Sequence, residues 1–239
     1  MKELIKDYWN QNNISDFYNM LEDFKNIDRV DFTKKVVNTK KECLAVKSVD
    51  LKIMADEIFK GNYLSFLDIM PNKNHESLIV CDYVISKIKD FKSQKKYILK
   101  IAKYIDNWAV VDSLKFSIKK QEDEYITFSK KLINNNKEFY RRIGVRILFG
   151  FTKNYTYTDE IFKIIDSLYY EDKYYVNMAV SWLLCEMFIY NRDKTLKYVK
   201  HSNINKFTFN KFVDKCCDSF RIADSDKKLL KSMRKARKF

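Results

Sequence analysis

Glycine and proline are nearly absent from this chain of 239 residues, which has three glycines and a single proline, Pro71. β-Sandwiches, Rossmann folds and phosphate-binding loops need many turns with positive φ, and three glycines cannot supply them. Nearly half of the residues are apolar, so the chain has ample material for a hydrophobic core, and no disordered linker is expected. The composition therefore predicts helices joined by short polar turns.

Histidine and paired cysteines are also scarce. The histidines are His75 and His201, and none of the five cysteines forms a C-x-x-C pair, so no zinc site is expected. The scattered thiols are typical of buried, reduced cysteines. The sequence also lacks the common nucleotide-binding, serine-hydrolase and zinc-protease motifs. We therefore expect no metal and no cofactor, and any chemistry must depend on carboxylates, arginines and aromatic rings.

Long apolar runs are missing as well. No run approaches the ~18 residues needed to cross a bilayer, and the polar start at Met1 does not resemble a secretory leader. No helix pairs a basic face with an exposed apolar face in a convincing way, so a membrane-surface role is not favoured. These features predict a cytoplasmic, nucleoid-associated monomer that does not bind membranes.

Apolar residues recur with the i, i+3, i+4, i+7 spacing of amphipathic helices. Ten segments show this spacing: residues 18–24, 51–58, 78–88, 97–105, 108–118, 125–133, 139–151, 161–168, 174–189 and 207–217. Pairs of helices recur about every 35–40 residues, the period of HEAT-like arrays. The sequence therefore predicts an all-α fold, an α-solenoid of HEAT/ARM-like helical pairs that forms one domain over residues 1–239. Residues 174–187 are apolar on nearly all sides, which predicts an inner helix.

Charge is unevenly distributed along the chain. Lysine and arginine outnumber aspartate and glutamate by 46 to 32, yet residues 1–32 hold four basic and seven acidic residues. The basic surplus of residues 33–239 falls in clusters: Lys87, Lys89, Lys92, Lys95, Lys96, Lys115, Lys119, Lys120, Lys130, Lys131, Arg141, Arg142, Arg146 and the tail from Lys227 to Lys238. In a solenoid such clusters would form a concave basic face that follows a DNA backbone. The alternatives are ordinary solvated helix faces and the lysine-rich composition of an AT-rich bacterial genome.

One short segment combines an aromatic ring with a carboxylate. Trp108 and Asp112 are four residues apart, so they lie on one face of a helix. An aspartate within an apolar helix costs stability unless it is paired or functional. The simpler interpretation is an ion pair from Asp112 to Lys115 or an arginine, with Trp108 in the core. Trp182, taken alone, is also typical of a core residue.

The W-x-x-V-D-S element from Trp108 to Ser113, the helix with Arg141 and Arg142, and the helix with Trp182 occur in a distinctive order and spacing. In these features the chain, from about residue 38 onward, resembles the AlkD family of HEAT-repeat DNA alkylation repair proteins. The resemblance implies a glycosylase that hydrolyses the N-glycosidic bond of cationic N3- or N7-alkylated purines in double-stranded DNA without base flipping. It implies that Asp112 is catalytic, and that Trp108, Trp182, Arg142 and, less directly, Arg141 contact the DNA.

Two departures from the family pattern keep other functions open. Met178 and Cys185 stand where relatives often carry lysine and arginine, and the acidic residues 1–32 suggest a subfamily with an altered N-terminal lesion-recognition element. One alternative is therefore a catalytically silent DNA-binding relative that recognises DNA shape. The other is a protein-binding HEAT scaffold, a frequent use of such surfaces.

Overall fold

In the part that the computed structural model describes, residues 2–237, every regular element is a helix, apart from an isolated bridge between Glu42 and Asn74. Its α-helices are α1 (Ile14–Asp23), α2 (Val30–Val37), α3 (Ser48–Lys60), α4 (Tyr63–Ile69), α5 (His75–Ile85), α6 (Phe91–Ile101), α7 (Trp108–Ser113), α8 (Glu122–Ile133), α9 (Glu138–Leu148), α10 (Thr158–Asp166), α11 (Tyr174–Tyr190), α12 (Arg192–His201), α13 (Lys206–Asp218) and α14 (Asp224–Ala236). None of these helices is long and apolar enough to span a membrane. The all-α prediction is confirmed.

The helices group into two compact units, of which the first ends at Gln121 and the second begins at Glu122. A single domain over the whole chain stays a prediction. In the first unit α5 packs between α3 and α7, and the core includes a fully buried aromatic cluster. Phe66 of α4 contacts Trp9 and Phe17 edge-on, with ring centroids 5.2 and 5.0 Å apart. Gly61 ends α3 where a Cβ would lie 2.6 Å from the carbonyl oxygen of Lys6, so the N-terminal segment can pack there only against glycine.

An extended segment between α2 and α3, residues 39–46, contacts the beginnings of α5 and α7, and we call it the strap. The buried carboxyl group of Glu76 accepts hydrogen bonds from the backbone N–H groups of Leu44 and Ala45, at 3.0 and 2.8 Å. Ala45 has a φ of 55°, in the left-handed region that is unfavourable for residues with a Cβ. Glu76 thus satisfies two buried donors and holds a strained residue in place.

In the second unit α11 packs against α9, α12 and α13, and α8 packs against α9. α11 is buried on nearly every side, which confirms the inner helix predicted from its apolar pattern. Gly144 of α9 lies close to α8, because a Cβ there would lie 2.7 Å from Ile133 Cγ1 and 2.9 Å from the carbonyl oxygen of Ser129. Ser129 Oγ donates a 2.8 Å hydrogen bond to the Gly144 carbonyl at the same contact. Two of the three glycines therefore serve close packing.

The prediction of one helix over residues 108–118 is wrong at its C-terminal end, because α7 stops at Ser113. Side chains of other helices satisfy the backbone beyond it. Ser86 Oγ accepts from the N–H of Lys115 at 2.8 Å, and Gln94 accepts from the N–H of Ser117 at 3.3 Å. These tertiary hydrogen bonds replace the intrahelical ones and hold residues 114–117 extended. The apolar pattern also missed α2, α4, α12 and α14, which are short or strongly polar.

Candidate nucleic-acid interface

The start of α7 is fixed by a buried polar network. The side chain of Asn107, which is fully buried, accepts from the N–H groups of Ala109 and Val110 at 3.1 and 3.3 Å and so caps the helix. Its amide also donates to Asp106 Oδ1 at 2.9 Å. Burial acts to raise the pKa of Asp106, but hydrogen bonds from Asn107, the N–H of Lys40 and the Thr39 hydroxyl outweigh it and lower the pKa below its ordinary value. The network ties α7 to the strap.

Trp108 and Asp112 lie one turn apart on α7, as their spacing predicts. Val110 and Val111 are fully buried, and Trp108 and Asp112 remain half-buried on the other side of the helix. The indole N–H of Trp108 donates to the carbonyl oxygen of Val36, the penultimate residue of α2, at 3.3 Å. Trp108 is therefore only half-buried and is not a fully buried core residue.

A buried carboxyl group, Asp82 of α5, supports the other end of α7. Ser113 Oγ lies 2.8 Å from Asp82 Oδ2 and 2.9 Å from the carbonyl oxygen of Val110. A hydroxyl has one proton, so both contacts are satisfied when protonated Asp82 donates to Ser113 and Ser113 donates to Val110. Burial raises the pKa of Asp82 well above its ordinary value and so favours the protonated form that this arrangement needs. Asp82 Oδ1 has no hydrogen-bond partner among the described residues.

Replacing Asp82 with Asn is expected to change how stability depends on pH. The folded state keeps a proton on Asp82 that the unfolded chain loses above about pH 4, so the wild-type free energy of unfolding falls as the pH rises toward the folded-state pKa. The asparagine side chain of the variant does not titrate, and its amide can still donate to Ser113. The stability of the variant relative to wild type should therefore increase by up to about 1.4 kcal/mol per pH unit. Urea unfolding between about pH 5 and pH 8 measures this difference, and parallel pH profiles for the two proteins would contradict it.

Trp182 of α11 lies in a cluster of aromatic and cationic side chains. Its ring contacts Phe149 edge-on at 4.8 Å between centroids. The guanidinium carbon of Arg146 lies 4.8 Å from the Trp182 ring and 4.4 Å from the Phe149 ring, and Lys215 Nζ lies 5.8 Å from Trp182. These four side chains are half-buried, and we call them the tryptophan–cation cluster. Arg146 and Lys215 bring positive charge from α9 and α13 to α11, in which Met178 and Cys185 supply none.

Arg141 and Arg142 are engaged within the second unit. Arg141 forms a two-pronged ion pair with Glu171, at 2.6 Å from Nε and 2.9 Å from Nη2, and its side chain is 12% exposed. Arg142 is 4% exposed and donates from Nη1 to the carbonyl oxygen of Tyr175 at 2.5 Å. Their contact with DNA stays a prediction. Arg146, one turn beyond Arg142 on α9, is the arginine that lies against Trp182. The i, i+4 spacing of Arg142 and Arg146 was the one feature of the sequence that could have indicated Arg146 as a site residue.

Several of the predicted basic clusters include lysines paired with acids. Lys87 pairs with Asp56 and Lys130 with Glu160. Other lysines of these clusters, Lys89, Lys92, Lys119, Lys120 and Lys131, are exposed. Lys238, at the end of the basic tail, lies outside the described residues. The concave basic face stays a prediction, and no group of three potential metal ligands occurs within residues 2–237.

Paired helices with aromatic rings beside cations define a helical-repeat protein whose surface chemistry suits nucleic acid. The sequence profile of the family described as DNA alkylation repair enzyme matches residues 18–212, well over half of the chain. The chain therefore belongs to the DNA alkylation repair enzyme family, and the resemblance to AlkD is confirmed. The paired helices are consistent with the HEAT-like solenoid of that family. A comparison with curated proteins gives no match.

Proposed function

We propose that this protein is a DNA glycosylase that releases cationic N3- or N7-alkylated purines from double-stranded DNA without flipping the base. The observation that carries the proposal is the pairing of Trp108 with Asp112 on a helix held at both ends, in a chain of the DNA alkylation repair enzyme family. Two independent networks, at Asn107 and at Ser113, support this short helix. Such support is what a positioned catalytic carboxylate needs.

The proposed reaction needs only one carboxylate. Alkylation at N3 or N7 already gives the purine a positive charge, so the C1′–N bond can break with its electron pair going to the base and without a general acid. Asp112 stabilises the positive charge that develops on the deoxyribose and orients a water molecule. The water oxygen bonds to C1′ and its proton passes to solvent, which leaves an abasic site and a neutral base. This scheme suits a chain with two histidines and no metal motif.

Aromatic and cationic side chains would hold the DNA in this scheme. Trp108 and Trp182 offer ring surface to deoxyribose, because both indoles are half-buried and not part of the core. Arg146 and Lys215 beside Trp182 offer charge to nearby phosphates. In the same proposal Arg142, and less directly Arg141, contacts a DNA phosphate. Each must then exchange its present hydrogen bonds, to the Tyr175 carbonyl and to Glu171, for bonds to the phosphate.

The direct test is base release from methylated duplex DNA. We expect the wild-type protein to liberate 7-methylguanine or 3-methyladenine, measured by chromatography of the soluble bases against an enzyme-free control. Salt-sensitive duplex binding without base release would favour the catalytically silent relative instead. Absence of duplex binding at moderate salt, with no base release, would favour the protein-binding scaffold.

Lys215 allows a test of the tryptophan–cation cluster that does not depend on catalysis. Replacing Lys215 with Gln is expected to weaken duplex binding and to lower the slope of log affinity against log salt by about 1, since one phosphate contact is lost. The matched control is Lys197→Gln, which removes an exposed lysine of α12. Equal slopes for Lys215→Gln and wild type would contradict a phosphate contact at this cluster.

A further inference from the structure

The second unit contains a cavity of about 680 Å³ that the proposed glycosylase site does not use. The segment between α10 and α11 contributes Tyr169 and Tyr170, and the segment between α12 and α13 contributes Asn203. Lys200 and Lys206 flank that second segment. The volume falls in the usual range for small-molecule sites, about 300–1,000 Å³.

The tyrosines of this cavity are unusually open to solvent. Tyr170 is 91% exposed and Tyr169 is 44% exposed, and the rings meet edge-on at 4.4 Å between centroids. Next to Lys206, Phe207 is 37% exposed and lies 5.7 Å from Tyr174, itself 54% exposed. Four exposed rings thus lie near one another in the chain fold: Tyr169 and Tyr170 in the segment before α11, Tyr174 at the beginning of α11 and Phe207 at the beginning of α13. Exposed apolar side chains that cluster in this way are typical of an interaction site, whereas single ones are ordinary on a protein surface.

Positively charged side chains line the cavity together with Tyr169 and Tyr170. The cavity is lined by Lys200, Lys206 and Arg237, and among the described residues that line it none is acidic. Arg237 secures the end of α12, because its guanidinium donates to the carbonyl oxygens of Val199 and Ser202 and lies 4.7 Å from the Phe209 ring. The two lysines are exposed at the rim.

A ligand that matches this arrangement carries an aromatic face and a negative charge close together. Single-stranded DNA has both, because each nucleotide joins a base to a phosphate. In duplex DNA the base faces are already stacked and cannot reach a tyrosine, whereas an unpaired base can. We propose that this cavity binds a nucleotide of single-stranded DNA, with its base stacked on Tyr170 and its phosphates against Lys200 and Lys206.

The test is binding of a fluorescein-labelled dT12 strand, followed by anisotropy at moderate salt. The wild-type protein should bind dT12, and Tyr169→Ala/Tyr170→Ala should lower the affinity by about 10-fold or more, the loss expected for one or two stacked bases. Tyr170→Phe keeps the stacking face and should bind as wild type does. The matched control is Tyr155→Ala, which removes a tyrosine 65% exposed elsewhere in the same unit. Lys200→Glu/Lys206→Glu should also lose affinity, whereas Lys197→Glu on the same helix as Lys200 should lose less.

Failure of wild type to bind dT12, or unchanged binding by the double tyrosine variant, would overturn the proposal. An equal loss in Tyr170→Phe would overturn stacking on that ring. The glycosylase proposal is separable, because base release from methylated duplex, measured on the same variants, should be unchanged by the tyrosine substitutions. A wild-type protein that releases no base but binds dT12 through these tyrosines would still support the cavity.

Discussion

Replacing Asp112 with Asn is expected to remove most of the base release from methylated duplex DNA, with a rate loss on the order of 100-fold. The amide has nearly the shape of the carboxylate but no negative charge, so it cannot stabilise positive charge on the deoxyribose or orient water equally well. Val110, Val111 and the Asn107 cap hold α7 independently of Asp112, so the helix should remain folded. Single-turnover base release at saturating protein measures the chemical step directly.

Two controls show whether a loss of rate in Asp112→Asn comes from the catalytic step: duplex binding by the variant, and a carboxylate substitution elsewhere in the chain. Asp112→Asn should bind unmodified duplex at least as well as wild type, because a negative charge is removed. Asp123→Asn, which changes a carboxylate in the first turn of α8, should leave the rate unchanged. If Asp112→Asn released base within a few-fold of the wild-type rate, Asp112 would not be the catalytic carboxylate.

The features that the sequence predicted well are those carried by one helix. The i, i+4 spacing of Trp108 and Asp112 is enough to put them on one face, and the apolar pattern of residues 174–187 is enough to predict a buried helix. The apolar spacing of residues 78–88 likewise predicted α5, which begins after Asn74, whose side chain forms a capping box with Ser77. In each case the information is local.

The features that the sequence did not predict depend on contacts between helices. Nothing in the pattern of residues 108–118 shows that Ser86 and Gln94 will satisfy the backbone after Ser113 and end α7 early. The position of Arg146 between Phe149 and Trp182 likewise requires α9 and α11 to pack side by side. Periodicity reports which face of a helix is apolar, but it does not report which side chains of the neighbouring helix will meet it.

Three buried or partly buried carboxyl groups around α7 do different work. Asp106 has a lowered pKa because several donors surround it, so it acts as a charged acceptor at the start of the helix. Asp82 has a raised pKa because it is fully buried, so it acts as a neutral donor at the end of the helix. Glu76 holds the strap, to which the start of α7 is tied. The position of Asp112 thus depends on carboxyl groups that lie outside α7.

Replacing Glu76 with Ala is expected to lower the free energy of unfolding by about 3 kcal/mol, since it leaves two buried backbone donors without their acceptor. The strained backbone at Ala45 would also lose the hydrogen bond from its N–H to Glu76. Urea denaturation measures the loss of stability, and Glu76→Gln, which keeps one acceptor oxygen, should lose less. Glu124→Ala, at an exposed position of α8, should stay within about 0.5 kcal/mol of wild type.

Cys43 gives a second measurement that reports on the strap itself. In the wild type Cys43 is 2% exposed. Burial, together with the nearby charge of Glu76, raises the pKa of its thiol to about 11, so the thiol should react slowly with a thiol reagent. Glu76→Ala removes that charge and frees residues 43–45, so the labelling rate of Cys43, measured by peptide mass spectrometry in native buffer, should rise. Half-exposed Cys217, in the other unit, should label at the same rate in both proteins. An unchanged Cys43 rate combined with unchanged stability would mean that Glu76 does not hold the strap.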